Sequence, residues 1–169
     1  KFTELQTTFP ANIVALVDGI PQTLGLKPIL EHYIKHRVTV IVKRSEYELA
    51  QAKYRAHILE GYLIALDHID EVIKVIKTSK NEPEAKTSLM AKFKLSEIQA
   101  QSILDMQLKR LTGLERAKIE EELKELKKKI AYLEGLLKDV FKILGVIKDE
   151  IAELKTKFGD ERRTKVIKS

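Results

Sequence analysis

The chain lacks cysteine and tryptophan and contains little proline, glycine or aromatic residue. Without cysteine, disulfides and thiolate-bound metals are excluded. Aromatic residues make up only 6% of the chain and there are four prolines, a composition that disfavours a compact β domain. No apolar run is long enough to cross a bilayer and no stretch resembles a signal peptide, so we expect no membrane partner.

Charged and aliphatic residues are abundant instead. Charged residues make up 33% of the chain, and the formal net charge is +6. A composition rich in Lys, Glu, Leu and Ile favours long helices. Because acidic and basic residues are interspersed, the net charge alone gives only weak support for a polyanionic ligand. The chain starts at Lys1 within an ordered-looking pattern, and we expect it to be a piece of a longer polypeptide.

An apolar seam runs through the second half of the chain. Its members recur at alternating steps of four and three: Ile119, Leu123, Leu126, Ile130, Leu133, Leu137, Val140, Leu144, Ile147, Ile151, Leu154 and Phe158. This 3.5-residue repeat predicts a long helix with a narrow stripe that a second helix must cover. A second seam lies earlier in the chain, at Leu49, Ala52, Ala56, Leu59, Leu63 and Leu66. We expect the two seams to pack against each other in antiparallel orientation.

The N-terminal part of the chain carries the only predicted β structure. Residues 13–17 are apolar and run into Asp18-Gly19, a strong hairpin signal, after which residues 20–24 return. Pro21 confines the returning strand to a sheet edge. Because a lone hairpin is marginally stable in water, we expect it to lean on another part of the protein.

Residues 28–66 predict one long helix, in spite of the β-branched run at residues 39–42. Helix start signals then suggest three short helices. Asp67 could cap the first, over residues 69–77, and Asn81 the second, which ends near Phe93. Ser96 and Gln99 form a plausible capping box for a third helix that ends near Leu108.

These elements predict a mainly α fold: a long antiparallel two-helix coiled coil with a small helical globule at its tip and a short N-terminal β-hairpin. The predicted parts are the hairpin, the outgoing helix, the globule, the returning helix and a polar connector, at residues 1–27, 28–66, 67–113, 114–158 and 159–169.

The predicted globule is small and rich in apolar residues, so that it would be marginally stable by itself. Association with a second copy of the chain is the simplest way to cover the excess apolar surface. The candidates for apolar surface at or beneath such a contact are Leu95, Ile98, Ile103, Met106 and Leu111. The sequence leaves open which of them cross the contact and which fill the core of the globule.

The sequence contains few residue patterns that indicate a catalytic or metal-binding site. His32 and His36 have the i, i+4 spacing of metal ligands on a helix, but no third ligand is evident, and a solvated or capping pair is favoured. No phosphate loop, nucleophilic triad or paired-carboxylate site stands out. Candidates for weak, sequence-independent contact with DNA phosphates are Lys43, Arg44, Lys109 and Arg110. Solvated helix faces are the favoured explanation for the basic clusters.

Short motifs along nearly the whole chain resemble the A subunits of bacterial DNA gyrase, which are type IIA topoisomerases. They are QTTF (6–9), ALVDG (15–19), RAHILEG (55–61), ALDHID (65–70), LSEIQAQ (95–101), ILDM (103–106), RLTGLE (110–115) and FGDERRT (158–164). The motif at 110–115 is more similar to gyrase than to topoisomerase IV. Pro10 departs from the family, which usually has Gly there, and the heptad spacing continues through residues 138–142, where the family commonly has a short break.

The resemblance implies the end of the tower region, the coiled coil and the dimerising globule of the exit gate, or C-gate. A DNA duplex leaves through this gate after passing a break in another. The implied holoenzyme is an A2B2 complex that introduces negative supercoils by ATP-dependent double-strand passage in the bacterial cytoplasm, associated with the nucleoid. Mg²⁺ and ATP act through the B subunit, and the catalytic Tyr lies upstream of this region. We therefore expect no cofactor and no activity in this chain alone.

Three alternatives remain open from the sequence. One is the equivalent region of topoisomerase IV. The second is a non-enzymatic coiled-coil scaffold without a role on DNA. The third is a basic helical nucleic-acid binder, which predicts salt-sensitive DNA binding by this chain alone.

Overall fold

The computed structural model describes residues 7–8, 10–106 and 113–167, and it is mainly helical. Within these described ranges, two strands, β1 (Ile13–Val17) and β2 (Ile20–Leu24), precede six helices. The helices are α1 (Leu26–Asp67), α2 (Ile69–Thr78), α3 (Glu82–Phe93), α4 (Glu97–Leu104), α5 (Gly113–Leu137) and α6 (Val140–Phe158). No helix among the described residues combines the length and apolar character that a bilayer crossing requires.

The described elements form two compact units. Unit 1 comprises the chain up to Lys43 and from Phe141 onward, and unit 2 comprises Arg44–Val140. Unit 1 therefore holds the hairpin, the first part of α1 and most of α6. Unit 2 holds the rest of α1, the globule of α2, α3 and α4, and α5.

The hairpin of unit 1 forms as its turn sequence predicts. β1 and β2 are antiparallel, with Ile13 opposite Leu24 and Val17 opposite Ile20. Asp18 and Gly19 both have positive φ angles, 51° and 82°. A two-residue turn of this kind matches the right-handed twist of the flanking strands, and it requires residues that tolerate positive φ. The Asp-Gly signal is confirmed.

The long α1 helix is continuous through the β-branched run, as the four-three spacing predicted. In unit 2 it packs against α5 in antiparallel orientation. Ala52, Ala56 and Leu59 of α1 and Ile119, Leu123 and Leu133 of α5 are buried. The small alanines permit close approach of the two helices, and the predicted seams do form in this unit.

Among the described residues, four of the ion pairs that join α1 to α5 lie in two rows, and their signs alternate along each helix. Glu48 with Lys129 and Arg55 with Glu122 form one heptad-spaced row, with N–O distances of 2.9 and 2.7 Å. The other row consists of Lys53 with Glu134 at 2.6 Å and Glu60 with Lys127 at 2.9 Å.

This alternation disfavours a slide of one helix along the other. A displacement by one heptad would place Arg55 opposite Lys129, and in the second row Glu60 opposite Glu134. Like charges that face each other across a helix pair oppose association, so the pairs favour one register.

The returning helix differs from the prediction. The expected helix over residues 114–158 is interrupted after Leu137 and resumes at Val140. The Asp139 N–H bonds to the Leu136 carbonyl, three residues back, which closes the end of α5 with a tight turn.

The interruption changes which residues are buried. Leu136, Ile143 and Ile147 are buried, whereas the predicted seam members Val140 and Leu144 are 61% and 38% exposed. A continuous heptad seam through this point is therefore wrong, because the helix is interrupted between Leu137 and Val140 and the predicted members Val140 and Leu144 are not buried.

Two further helix ends differ from the predictions. Asp67 is the last residue of α1 and does not cap α2, whose N-cap is His68 without a side-chain hydrogen bond. The Asp67 carboxylate instead lies 2.7 Å from Arg116 Nη2 at the start of α5. The α4 helix ends at Leu104 rather than near Leu108, because the Met106 N–H bonds to Ile103 O in a tightened last turn.

Unit 2 is built around one apolar core, which joins α1 and α5 to the globule. Its buried members are Ala56, Ile58, Leu59, Tyr62, Ala65, Val72, Leu89, Leu95, Ala100, Ile103, Ile119 and Leu123. The predicted caps hold the short helices in place. Asn81 accepts a hydrogen bond from the Glu84 N–H at the start of α3, and Ser96 and Gln99 form the predicted capping box of α4.

Candidate functional site

The globule divides the predicted contact residues into inner and outer ones. Leu95 and Ile103 are buried in the unit 2 core, at 5% and 3% exposure. Met106 is partly buried against the same core. Ile98, in the first turn of α4, is 44% exposed. Leu111 lies outside the described residues, so its placement stays a prediction.

One further exposed apolar residue of the globule was not singled out by the sequence. Ile76, in the last turns of α2, is 38% exposed. No sequence signal marked it, because Ile76 follows the buried Val72 by four residues and helical periodicity places both on the same face of α2. Ile76 and Ile98 are the outward apolar side chains that the described part of the globule offers to a partner.

A hydrogen-bonded junction fixes α4 on α1. We call His57, Gly61, Ser96 and Gln99 the α1–α4 junction. The Gln99 side-chain N–H donates to the His57 backbone carbonyl at 2.8 Å, and His57 Nε2 lies 2.6 Å from Ser96 Oγ. The Gln99 side chain also passes close to Gly61, where a Cβ atom would lie 2.8 Å from Gln99 Cγ.

The sequence predicted half of this junction. Ser96 and Gln99 were recognised as a capping box, whereas their contacts with α1 were not foreseen. The sequence signal for the contact with α1 was Gly61. A glycine in a helix interior lowers the stability of the helix by up to about 1 kcal/mol relative to alanine, so its presence there indicates a packing role. The close approach of Gln99 supplies that reason.

Most of the basic residues near the α1–α5 seam are paired with carboxylates. Arg55 and Glu122 form two parallel hydrogen bonds, at 2.7 and 3.0 Å, and the bonding to Glu122 raises the pKa of Arg55. Lys129 donates a hydrogen bond that lowers the pKa of Glu48, and Lys53 does the same for Glu134. In unit 1, Arg37 pairs with Glu150. These cations hold helices together and have less capacity for phosphate.

Two of the four predicted DNA-contact residues lie among the described residues. Lys43 and Arg44 are exposed on α1, and each lies in a different unit. Lys109 and Arg110 lie outside the described residues. A role for any of the four on DNA stays a prediction.

The histidine pair of unit 1 lines a shallow cavity of about 290 Å³. His32 and His36 lie there with Lys35 of α1 and with Leu16 and Asp18 of the hairpin. Within the described ranges, no group of three or more metal-ligating side chains is placed to hold an ion. The arrangement offers no basis for a metal proposal.

Comparison with known proteins places the chain in a family. The family model for the A subunits of DNA gyrase and topoisomerase IV matches residues 1–152. The chain belongs to this family. Among curated members, it is 58% identical to the DNA gyrase A subunit of Clostridium acetobutylicum over 166 residues, 55% to that of Brachyspira hyodysenteriae over 167, and 52% to that of Staphylococcus aureus over 166.

These matches cover nearly all of this chain but a small part of the relatives. They span 98–99% of the chain and 19–20% of the gyrase A subunits. The chain thus corresponds to about one fifth of a gyrase A subunit. Its continuous α1 helix and the antiparallel α1–α5 pairing are consistent with a coiled-coil region of such a protein.

Proposed function

We propose that this chain is the coiled-coil and exit-gate region of a DNA gyrase A subunit. The observation that carries the proposal is its identity of more than 50% to gyrase A subunits over almost its entire length. The relatives named above are all gyrase subunits, which favours gyrase over topoisomerase IV. It also disfavours a scaffold without a role on DNA, because the family as a whole is one of topoisomerase subunits.

The proposed role in the holoenzyme is mechanical. The whole enzyme is an A2B2 type II topoisomerase that acts on double-stranded DNA in the bacterial cytoplasm, at the nucleoid, with Mg²⁺ and ATP used through the B subunit. This region holds the two halves of the enzyme together through the globule and separates to release a DNA duplex. It supplies no catalytic group, so the chain alone is inactive.

A second copy of the chain is the proposed occupant of the outer globule surface. Unit 2 already fills its own core with Leu95, Ile103 and their neighbours, which leaves Ile98 and Ile76 as apolar side chains without cover in one copy. A small contact centred on such residues is separable, as a gate requires. Lys43 and Arg44 are proposed as weak phosphate contacts for DNA in transit.

Sedimentation equilibrium of the chain with Ile98→Glu tests the globule contact. The wild type is expected to be a dimer and the variant a folded monomer, because the contact would bury a carboxylate without a partner. Ile151→Glu is the matched control, since Ile151 is also an isoleucine on a helix and is 42% exposed, against 44% for Ile98. The control should remain dimeric. A dimeric Ile98→Glu variant, or a monomeric wild type at high micromolar concentration, would contradict the proposal.

A further inference from the structure

We infer that the α1–α4 junction is the positioning device for the globule contact. His57, Gly61 and Gln99 do not themselves touch the second copy. They act through Ile98, by holding α4 at a fixed place on α1. The inference rests on the proposed function, because it assumes that Ile98 meets a second copy.

The Gln99 side chain makes two hydrogen bonds with different roles. Its Oε1 accepts the Ser96 N–H at 3.0 Å, which caps α4, and its Nε2 donates to the His57 carbonyl at 2.8 Å, which docks α4 on α1. Gln99 is 6% exposed, so both hydrogen bonds lie away from bulk water. Loss of either partner would leave a buried polar group unsatisfied.

Ser96 is used twice in the same way. Its Oγ accepts the Gln99 backbone N–H at 3.2 Å and is 2.6 Å from His57 Nε2. The groups that start the α4 helix are therefore the groups that attach it to α1. If α4 left α1, Ser96 and Gln99 would lose their contacts with His57, whereas the capping hydrogen bonds between them would remain.

Gly61 makes this docking possible. The His57 carbonyl lies one turn before Gly61 on α1, and the Gln99 side chain reaches it by crossing the surface of residue 61. A Cβ there would lie 2.8 Å from Gln99 Cγ and 2.9 Å from Gln99 Cβ. Because these are the atoms nearest the α4 backbone, a rotation of the distal amide does not relieve the overlap, and α4 itself must shift.

The junction determines which side of α4 faces outward. Gln99, Ala100 and Ile103 face the interior, and Ile98 is directed away from it. Because Ile98 is the neighbour of Gln99 in the first turn of α4, a shift of Gln99 on α1 also shifts Ile98. The apolar surface is thus formed in one copy before a second copy arrives, which lowers the ordering cost of association.

Two variants test the inference through the dimer dissociation constant. Gly61→Ala should raise this constant about tenfold or more while far-UV circular dichroism stays helical, as expected when an interface residue is displaced. Gly145→Ala is the matched control, because a Cβ at that helical position meets nothing within 4 Å. It should change the constant by less than about twofold, as expected for a remote site.

Gln99→Glu separates capping from docking. Glutamate at this capping-box position keeps the acceptor for the Ser96 N–H but has no N–H for the His57 carbonyl. If Gln99 only caps α4, the dimer dissociation constant stays unchanged. The inference predicts that dimerisation weakens while the helix content is retained, because the introduced carboxylate cannot donate to the His57 carbonyl.

The outcomes distinguish this inference from the proposed function. If Ile98→Glu is monomeric but Gly61→Ala and Gln99→Glu dimerise like the wild type, the positioning role is overturned and the globule contact stands. If Ile98→Glu remains dimeric, the globule contact itself fails, and the positioning role fails with it. Should Gly61→Ala not fold, the Gln99→Glu result decides.

Discussion

The two units of this molecule differ in how much of their apolar surface they cover themselves. Unit 2 holds the continuous core around Leu59 and Leu89, both fully buried. Unit 1 buries Ile41, Ile143 and Ile147, yet much of its hairpin and of α6 is apolar and open. The exposed large apolar residues of unit 1 include Ile13, Val14, Leu16, Ile20, Leu26, Leu30, Leu154 and Phe158.

This difference in apolar burial indicates that the two units are stabilised in different ways. Unit 2 contains a globule whose helices close around α1 and α5, so most of its aliphatic side chains find neighbours within the chain. Unit 1 consists of a two-stranded hairpin and parts of two helices, which offer few faces to pack against. The open apolar faces of unit 1 are therefore left without cover by the described part of the chain.

The largest expected effect comes from truncation of a core residue of unit 2. Leu59→Ala should lower the free energy of unfolding by about 2–5 kcal/mol, because it removes a fully buried side chain and leaves a cavity. Leu16→Ala in the unit 1 hairpin, where the side chain is 74% exposed, should cost less than about 1 kcal/mol. Urea unfolding of both variants measures the contrast. If both variants lost the same free energy of unfolding, the contrast between the units would be contradicted, and Leu16 would have to be covered in solution.

Acid should weaken unit 2 through its ion pairs. Hydrogen bonds from Lys129 and Lys53 hold the pKa of Glu48 and of Glu134 below the ordinary value of 4.5. A carboxylate with a lowered pKa in the folded state stabilises it above pH 4.5, and this contribution is lost as the pH falls below that value. The melting temperature should therefore decline as pH drops from about 5 to about 3, the range in which such carboxylates take up protons.

A matched double variant isolates these two carboxylates. Glu48→Gln combined with Glu134→Gln should flatten the decline, since the amides do not titrate, while the melting temperature at pH 3 stays close to that of the wild type. An unchanged pH slope in the double variant would assign the acid sensitivity to other groups.

The smallest effect is expected from single ion pairs, one in each unit. Double-mutant cycles on Arg55 with Glu122 in unit 2, and on Arg37 with Glu150 in unit 1, should each give a coupling of about 0.2–1 kcal/mol, because all four side chains are partly exposed. Similar coupling energies for the two pairs would leave apolar burial as the main difference in how the two units are stabilised. A coupling of several kcal/mol for Arg37 with Glu150 would instead make that pair the main support of unit 1.

Sequence reasoning was most successful where a few neighbouring residues decide the structure. The Asp18-Gly19 turn, the Asn81 cap and the Ser96–Gln99 capping box all formed as predicted. The family was also readable, because its motifs are short and contiguous. In contrast, the Asp67 cap was wrong, since the carboxylate found Arg116 on another helix.

The candidate site was less accessible from the sequence. Five apolar residues were singled out, but the sequence could not separate Ile98, which faces outward, from Leu95 and Ile103, which fill the core. On a helix as short as α4, the inner side is set by what lies beneath it. The basic residues were equally ambiguous, because pairing of Arg55 with Glu122 depends on the register of α1 against α5.

The sequence by itself determined the helical composition, the hairpin, the caps and the family, because each depends on composition or on residues close together in the chain. The tertiary structure decided the rest: the interruption after Leu137, the charge pairs between α1 and α5, and the side of α4 that faces outward. These features depend on groups that are distant in sequence, such as the His57 carbonyl and the Gln99 amide. Only packing brings such groups within hydrogen-bonding distance, and Gly61 permits it here because it has no side chain.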